Sequence, residues 1–493
     1  MTPNEDGDPR RPASQAGGRV GGYVPPPGSI PTLAVPDLAG VRSTHLVGIG
    51  GAGMSGLARL LLAGGIAVSG SDLKDTKGLV QLRALGAAVH VGHRAEHIGD
   101  AETVAVSSAI PPDNPEVVEA RRRGIPVYAR AQVLAALMAE RRGVAVAGTH
   151  GKTTTTSMLA VILERSGRDP TYIIGGDLNE SGSNARWGSG ELFVAEADES
   201  DGSFLLLSPE IAIVTNVEPD HLDFFGTAAQ VEAAFATFCR RAGRLVVCGD
   251  DPGASRVAGT AGVEVTTYGE GGGSDVLVDR IEVGPAGSRC RLRFEGQAID
   301  VRLQVPGRHH LVNAAGALAA ARLAGVGLEE GAAALARFTG VRRRFERRGR
   351  AGGAEFVDDY AHHPTEIAAT LTAARAGGPR RVVAVFQPHR YTRTAVLWRA
   401  LGESLAGADV VVLTDVYGAG EVPMPGITGK LLVDALLERS PRTRAVYLPH
   451  RSTVARFLST TVREGDLVLT LGAGDITMVG EETLTMLGGD HGR

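Results

Sequence analysis

The strongest chemical signal in the sequence is a glycine-rich loop with a lysine followed by hydroxyl residues. It comprises Gly148, Thr149, His150, Gly151, Lys152, Thr153 and Thr154. The amides of such a loop cradle phosphates at the start of a helix, the lysine reaches the terminal phosphates, and the first hydroxyl can bind Mg²⁺. The segment departs from G-x-x-x-x-G-K-[ST], because Val146 replaces the first glycine. Since Lys152 is one of only four lysines in the chain, the loop predicts ATP binding.

Two acidic segments, each directly after an apolar run, are candidates for a metal site. Their sequences are EADESD, residues 196–201, and NVEPDHLD, residues 216–223. Solvated surface charge is the usual meaning of such runs, and a structural role is the alternative for His221. Beside a phosphate loop, however, carboxylate and imidazole groups suit Mg²⁺ or Mn²⁺. We therefore predict that Thr153, Glu196 and His221 bind a divalent metal.

A second glycine pattern near the N-terminus predicts a further nucleotide site. Gly48, Gly50, Gly51, Ala52 and Gly53 form a G-x-G-x-x-G pattern after an apolar run, and Asp72 follows at the distance of a ribose-binding acid. The pattern requires only that backbone amides approach a diphosphate at a helix N-terminus. NAD and a UDP-sugar both carry one. A turn that merely packs a helix on a strand is the less favoured alternative.

Two polar clusters in the last third of the chain predict a binding site for a small acid. They are DDYAHHPTE, residues 358–366, and FQPHRYTRT, residues 386–394. Histidines and arginines spaced in this way can clamp a carboxylate. The arginine run at residues 342–344 is typical of a solvated face or a nucleic-acid patch, but between nucleotide-binding units an arginine that reaches a γ-phosphate is at least as good an interpretation.

Composition restricts the class of protein. The 493 residues have 22% charged and 43% hydrophobic side chains and a net charge of −4, so the chain as a whole is neither disordered nor strongly basic. Three cysteines provide no disulfide framework and no zinc motif, which favours a reducing compartment. Neither a signal peptide nor a membrane-spanning segment is expected. These features predict a cytoplasmic protein without nucleic-acid or membrane partners.

The elements that must position these residues are apolar runs alternating with helical patterns, as in α/β proteins with parallel sheets. We expect an extension without fixed structure at residues 1–40 and three domains. These are a Rossmann-like nucleotide-binding domain at 41–130, a central P-loop-type ATPase domain with a parallel sheet at 131–340, and a Rossmann-like C-terminal domain at 341–493. Because ligands bind beyond the carboxyl ends of such strands, where the polar motifs fall, an enzyme with one cleft is predicted.

Taken together and in order, these motifs resemble those of the Mur ligases. The segments are GIGGAGMSG, GTHGKTTTT, EADESD, NVEPDHLD, RHHLVNAAGALAA, FTGVRRRFE, DDYAHHPTEI and FQPHRYTRT. The likeness runs from about Ser43 to about Gly480, and the last two segments resemble the alanine-adding branch. It implies ATP-dependent joining of L-alanine to the lactyl carboxylate of UDP-N-acetylmuramate in peptidoglycan synthesis, an amide-forming reaction through an acyl phosphate and a tetrahedral intermediate.

The resemblance also implies roles for individual residues. The first glycine loop, with Ser71, Asp72, Ser107 and Ser108, would hold the UDP-sugar in place of NAD. Asn313 would lie near adenine and Arg344 on the phosphates of ATP. The alanine would be surrounded by His362, His389, Arg390 and Arg393, with His362 helping to deprotonate its ammonium group. Lys152, Glu196, His221, Arg344 and His362 would therefore form the catalytic set.

The sequence departs from the family pattern at two places. The chain has no lysine between Lys152 and Lys430, so the carbamylated lysine of the sister ligases is absent, as in the alanine-adding branch. His310 stands where the family often has asparagine, next to the proposed adenine contact at Asn313.

Three other functions would each account for part of the sequence. A murein-peptide ligase that attaches a preformed tripeptide is the nearest alternative, although the compact FQPHRYTRT cluster favours one small amino acid. A regulator without catalysis would not need intact metal and acid clusters, and an NAD-dependent oxidoreductase would leave Lys152 unexplained. We expect a monomer or a weak homodimer.

Overall fold

The computed structural model describes residues 34–491, and within them the chain forms three sheets flanked by helices. An extension without fixed structure was expected at residues 1–40, and residues 1–33 of it lie outside the described residues. None of the helices in the described part of the chain is long and apolar enough to cross a membrane. Three α/β units with largely parallel sheets were predicted, and this fold class is confirmed.

The N-terminal sheet has five parallel strands in the order β3-β2-β1-β4-β5. Its central strand β1, STHLV, is buried along almost its whole length, as expected for a strand covered on both faces. The elements are β1 Ser43–Val47, α1 Ala52–Ala63, β2 Ala67–Asp72, α2 Lys77–Ala84, β3 Ala88–Val91, β4 Thr103–Val106, α3 Pro115–Arg122, β5 Val127–Ala129 and α4 Arg130–Ala139.

The central sheet has ten strands in the order β15-β14-β13-β12-β11-β10-β6-β9-β7-β8. Its elements are β6 Arg142–Ala147, α5 Lys152–Arg165, β7 Thr171–Ile173, β8 Ala185–Arg186, β9 Leu192–Glu196, β10 Ile211–Val214, α6 Leu222–Phe225, α7 Ala228–Arg241, β11 Arg244–Cys248, α8 Pro252–Ala258, β12 Glu264–Gly269, β13 Val276–Gly284, β14 Gly287–Phe294, β15 Gln297–Leu303, α9 Arg308–Leu323 and α10 Leu328–Leu335.

This sheet is mixed, whereas a parallel sheet was expected. Its middle strands are parallel, but β13, β14 and β15 form an antiparallel meander at one edge and β8 runs antiparallel to β7 at the other. In β14, GSRCRLRF, buried and more exposed residues alternate, as expected for a sheet with one covered face. Because arginine stands at every second position from Arg289 to Arg293, the short apolar alternation was not recognised as a strand pattern in the sequence.

The C-terminal sheet has seven strands in the order β20-β19-β18-β21-β17-β16-β22. It also carries antiparallel edge strands, because β16 pairs antiparallel with both β17 and β22. The elements are β16 Glu346–Ala351, β17 Ala354–Asp359, α11 Pro364–Ala376, β18 Arg381–Phe386, α12 Tyr391–Ser404, β19 Val410–Leu413, α13 Lys430–Arg439, β20 Arg444–Tyr447, α14 Val454–Thr461, β21 Asp466–Leu471, α15 Met478–Met486 and β22 Asp490–His491.

The registers of the parallel strands bring the motifs together. In the central sheet β6 lies between β9 and β10, with Val146 paired to Glu196 and Ala147 paired to Val214. The phosphate loop and both acidic segments therefore leave the sheet at the same edge. In the C-terminal sheet, β17 and β18 end at the two polar clusters and flank β21.

Candidate active site

The phosphate loop connects β6 to α5, and its conformation requires both of its glycines. Gly148 has φ 139° and Gly151 has φ 77°, in the range that favours glycine. A side chain at Gly148 would also collide with the hydroxyl group of Thr215. That hydroxyl donates a hydrogen bond to the carbonyl oxygen of His150 at 2.5 Å, while the side-chain oxygen of Asn216 accepts one from the His150 amide at 2.8 Å. The end of β10 thus fixes the loop.

Lys152 begins α5 and is paired with Glu199, one of the four acids of residues 196–201. Its ammonium group donates to the Gly148 carbonyl oxygen at 2.5 Å and to Glu199 Oε1 at 2.9 Å. Burial acts to lower the pKa of Lys152, but Glu199 and Asp198 raise it, so the lysine is charged. Burial, reinforced by Asp198, raises the pKa of Glu199 to about 7 despite the opposing effect of Lys152. Residues 196–201 were recognised as a motif, but only the fold identifies which acid faces the lysine.

The predicted metal ligands lie along the same edge. Thr153 Oγ1 donates to Glu196 Oε1 at 3.1 Å, and the Gly175 amide donates to Glu196 Oε2 at 2.7 Å. His221 Nε2 lies 3.8 Å from Glu199 Oε1. Burial lowers the pKa of His221, and its Nδ1 is buried with no hydrogen-bond partner among the described residues. A neutral imidazole with a free nitrogen, beside carboxylates and a threonine hydroxyl, fits a divalent cation.

Two of the residues expected around ATP meet the phosphate loop. Arg344 Nη2 donates to Thr153 Oγ1 at 3.4 Å. The side-chain oxygen of Asn313, on α9, would lie only 2.9 Å from a Cβ built at Gly151. His310 is one turn earlier on α9, where its Nδ1 donates to the Pro306 carbonyl oxygen at 2.8 Å. Burial lowers the pKa of His310 to about 4, so this histidine is a neutral, internally bonded group.

The two arginines expected to bind the amino acid are paired with acids of the central domain. Arg393 donates to both carboxylate oxygens of Asp220, at 3.1 and 3.2 Å, and both side chains are 7% exposed. Arg390 caps α12 with a φ of 71° and lies 3.1 Å from Asp223 and 2.8 Å from Glu421. Burial acts to raise the pKa of Asp220, but Arg393 holds it well below the usual range. Both arginines are therefore held by carboxylates in this structure.

The two histidines of this cluster lie close together and are uncharged. The ring centroids of His362 and His389 are 6.2 Å apart, and His389 stacks on Tyr417. Burial lowers the pKa of His362 to about 3, although Glu366 opposes the shift, and burial with Arg393 lowers that of His389 to about 4. His362 Nδ1 lies 3.0 Å from the Tyr360 carbonyl oxygen, which can only accept a hydrogen bond. Its Nδ1 therefore carries the proton, and its Nε2 has a free lone pair.

The N-terminal glycine loop connects β1 to α1 and is held by Asp72. Gly48 has φ 81°, and the Gly50 amide donates to Asp72 Oδ2 at 2.9 Å. Ser107 lies beside the loop, because a Cβ atom placed on Gly48 would be 3.2 Å from the Cβ of Ser107. A side chain at Gly53 would meet the guanidinium of Arg130 at 2.8 Å. This arginine was missed in the sequence, because it lies far along the chain at the start of α4.

Ser71, expected at the UDP-sugar site, has its side chain inside the domain. Its hydroxyl is buried and donates to Glu116 at 2.5 Å and lies 2.9 Å from His93 Nδ1. The structure thus places this side chain in an internal network, whereas Ser107 and Asp72 adjoin the glycine loop itself. Ser108, one residue further, is exposed.

Three family models match consecutive parts of the chain. The model described as Mur ligase family, catalytic domain, matches residues 43–142. The Mur ligase middle domain matches residues 146–321, and the glutamate ligase domain of Mur ligases matches residues 343–474. The matches therefore extend over most of the described chain.

Curated relatives and solved structures agree with these matches. A UDP-N-acetylmuramate–L-alanine ligase of Rubrobacter xylanophilus is 50% identical over 90% of this chain and 99% of its own. One from Kineococcus radiotolerans is 52% identical over 92% and 98%. The crystal structure of a UDP-N-acetylmuramate–alanine ligase of Thermotoga maritima superposes with a TM-score of 0.77 at 30% identity, covering 90% of this chain and 98% of that one. A murein peptide ligase of Psychrobacter arcticus gives a TM-score of 0.67 at 27% identity, covering 91% and 99%.

Proposed function

This chain belongs to the Mur ligase family, and we propose from that premise that it joins L-alanine to UDP-N-acetylmuramate with cleavage of ATP to ADP and phosphate. The product would be UDP-N-acetylmuramoyl-L-alanine, a precursor of peptidoglycan. The observation that carries the proposal is the meeting of the phosphate loop of the central sheet with the histidine and arginine cluster of the C-terminal sheet. An ATP site and a site for a small amino acid would thus share one cleft.

The chemistry requires the carboxylate to be activated before the amine attacks, because a carboxylate oxygen is a poor leaving group. Transfer of the γ-phosphoryl group of ATP to the lactyl carboxylate of the sugar would give an acyl phosphate and ADP. Attack by the amine of alanine would then give a tetrahedral intermediate, which expels phosphate. Positioning and charge stabilisation dominate phosphoryl transfer, and Lys152 and Arg344 are the cations that would supply them.

Magnesium, or manganese, would be held by Thr153, Glu196 and His221, with Glu199 close by. When bound, it would neutralise charge on the phosphates of ATP. The geometry that supports this assignment is the hydrogen bond from Thr153 to Glu196 and the Nδ1 of His221, which has no hydrogen-bond partner in the described part of the chain.

His362 is the residue that we propose to receive a proton from the incoming alanine. Its protonated Nδ1 is turned to a carbonyl oxygen, so Nε2 can accept a hydrogen bond from the ammonium group. Because burial makes His362 a weak base, it would position the amine and relay its proton to solvent water rather than hold it. Arg390, Arg393 and His389 would contact the carboxylate of alanine, once Asp220 and Asp223 release the two guanidinium groups.

The UDP part of the sugar substrate would lie on the N-terminal glycine loop. Its diphosphate would face the start of α1, where Gly51, Ala52 and Gly53 provide amides and Arg130 adds a positive charge. We propose domains at residues 41–130, 131–340 and 341–493, and a cytoplasmic monomer or weak homodimer.

The recycling ligase, which would attach a preformed tripeptide, is the weaker candidate. Relatives of about 50% identity over nine-tenths of the chain are named as alanine ligases, whereas the murein peptide ligase structure is 27% identical.

The test is release of ADP from the purified protein with UDP-N-acetylmuramate, with L-alanine, with the tripeptide, or with neither. Release that depends on alanine and yields UDP-N-acetylmuramoyl-L-alanine by mass spectrometry is the expected result. Release that depends on the tripeptide would favour the recycling ligase, and no release with either acceptor would contradict both proposals.

A further inference from the structure

A cluster of two histidines and a glutamate lies between the central and C-terminal domains, apart from the magnesium ligands proposed above. It comprises His150 of the phosphate loop, Glu218 after β10 and His363 at the start of α11. One ligand atom from each residue can be chosen so that all three lie within 4.8 Å of one another. His150 Nε2 and His363 Nδ1 are each 3.6 Å from the same carboxylate oxygen, Glu218 Oε2.

We propose that these three residues bind a divalent transition-metal ion of the zinc type, which holds the C-terminal domain against the phosphate loop. With bonds of about 2.1 Å, two ligand atoms of a tetrahedral zinc site lie about 3.4 Å apart. The two nitrogen–oxygen separations of 3.6 Å are close to this value, so small side-chain shifts would complete the site. Two imidazoles against one carboxylate favour such an ion, whereas oxygen ligands, which magnesium prefers, predominate among the magnesium ligands proposed above.

Histidine nitrogens of the cluster that are buried without a hydrogen-bond partner support the binding of a metal ion there. His150 and His363 are 7% and 5% exposed, yet neither nitrogen of His150 nor Nδ1 of His363 has a hydrogen-bond partner within residues 34–491. Buried imidazoles rarely leave their nitrogens without a partner. The side chain of Glu218 remains 27% exposed, which leaves a route for an ion.

Glu366 is placed to give, after a small shift, the outer hydrogen bond that metal-bound histidines usually have. It lies 3.5 Å from Nδ1 of His150, on the opposite side of the ring from Glu218. A carboxylate in this position orients the ring and makes the metal-binding nitrogen more basic. Glu366 is fixed in turn, because it accepts hydrogen bonds from the amides of His362 and His363 at the start of α11.

Cobalt is the probe for the test, since tetrahedral Co²⁺ absorbs visible light strongly and replaces zinc in such sites. Metal-free full-length protein is titrated with Co²⁺ in excess Mg²⁺, which occupies oxygen-rich sites. We expect one tight site with a tetrahedral spectrum that Zn²⁺ abolishes by displacement. His363→Ala and Glu218→Gln should lose this spectrum, and Glu366→Gln should weaken Co²⁺ binding by about 10- to 100-fold.

Two control variants separate this site from others. His221→Ala removes a proposed magnesium ligand, and His450→Ala removes an exposed imidazole; both should keep the Co²⁺ spectrum. Zn²⁺ should also raise the melting temperature of the wild type and of His450→Ala, but not of His363→Ala. Loss of the spectrum in His221→Ala with retention in His363→Ala would overturn the proposal. Absence of tight binding in the wild type would also overturn it, and His150 would then be a protonated bridge between Glu218 and Glu366.

Discussion

At the scale of single residues, the charged groups of the cleft are paired with one another. Lys152 contacts Glu199, Arg393 contacts Asp220, and Arg344 lies 3.6 Å from Glu366. A buried charge without a partner is costly, so each cation needs an acid until an anionic ligand takes its place. ATP and the carboxylate of alanine are anions that can do so. Separate substitutions test the residues proposed to bind phosphate, here called the phosphate arm, and those proposed to bind the amino acid, called the amino-acid arm.

For the phosphate arm, Lys152→Ala should lower kcat for ADP formation by about 100- to 1000-fold, because a cation aimed at the phosphates is lost. The affinity for UDP-N-acetylmuramate, measured by calorimetry, should stay nearly constant, since the N-terminal glycine loop is separate. Lys430→Ala is the matched control, as Lys430 is an exposed lysine on α13. An equal loss of UDP-sugar affinity in Lys152→Ala would show that the two phosphate sites had been divided wrongly.

For the amino-acid arm, Arg393→Lys keeps the charge but loses the planar fork that holds a carboxylate by two bonds. We expect KM for L-alanine to rise about tenfold or more, with KM for ATP and for UDP-N-acetylmuramate little changed. Arg399→Lys, an exposed position on the same helix, controls for general effects of lysine. If ATP affinity fell while alanine affinity stayed, Arg393 would belong to the phosphates and the role given to Arg344 would be withdrawn.

At the scale of elements, a buried glutamate joins the strands and helices of the N-terminal domain. Glu116, on α3, is fully buried and contacts His45 on β1, Ser71 on β2, and His93 and His97 between β3 and β4. Burial alone would raise the pKa of Glu116, but the imidazole of His45, 3.6 Å away, and the hydrogen bond from Ser71 lower it to about 2. The ionised carboxylate therefore stabilises the folded domain.

The stability of this domain should consequently depend on pH in the acidic range. The folded-state pKa of Glu116 is below the ordinary 4.5, so its contribution is complete above about pH 4.5 and is lost as pH falls towards 2. A shift of this size corresponds to about 3 kcal/mol. Glu116→Gln should lower the free energy of unfolding of this domain by an amount of that order at neutral pH and flatten its acid dependence in chemical denaturation. Glu96→Gln, at an exposed position nearby, should change neither.

The elements also show what the sequence could and could not predict. The strands around the phosphate loop were predicted because their apolar runs end at local motifs such as residues 148–154. The strands β14 and β16 were missed, because arginine occupies most of their more exposed positions. The contacts of Arg130, and those of Glu199 and Asp220 within the two acidic segments, were not predicted for a different reason. Their partners Lys152, Gly53 and Arg393 are distant in sequence, so only the packing of the sheets reveals the contacts.

At the scale of the whole molecule, the central and C-terminal domains meet through polar contacts. Asp220 forms an ion pair with Arg393, and Asp223 forms one with Arg390. The Thr365 hydroxyl donates a hydrogen bond to Glu218 at 2.8 Å. Relative motion is the usual expectation for domains that meet through polar contacts, so we expect this interface to open and close with its ligands. The same two arginines are proposed to bind alanine. Binding of the amino acid and the contact between the domains are therefore coupled.

This coupling predicts that the double variant Asp220→Asn/Asp223→Asn shifts the protein towards an open arrangement. Asparagine fills the same space but removes the charges that hold Arg393 and Arg390. If the closed state loses about 2 kcal/mol, its ratio to the open state falls roughly 30-fold. Small-angle X-ray scattering of the ligand-free variant should then give a larger radius of gyration than the wild type. Asp434→Asn, which breaks an exposed pair with Lys430, should leave the scattering unchanged.

Measurements of KM distinguish an effect of Asp220 and Asp223 on domain closure from a direct effect on the binding of alanine. Loss of the two aspartates frees Arg393 and leaves Arg390 paired with Glu421 alone. Because alanine must then also close the domains, its KM should rise. Saturating ATP with UDP-N-acetylmuramate should restore the compact scattering profile. An unchanged radius of gyration together with a raised KM would mean that Asp220 and Asp223 act on alanine alone. The contacts with Thr365 and Arg344 would then be sufficient to keep the domains together.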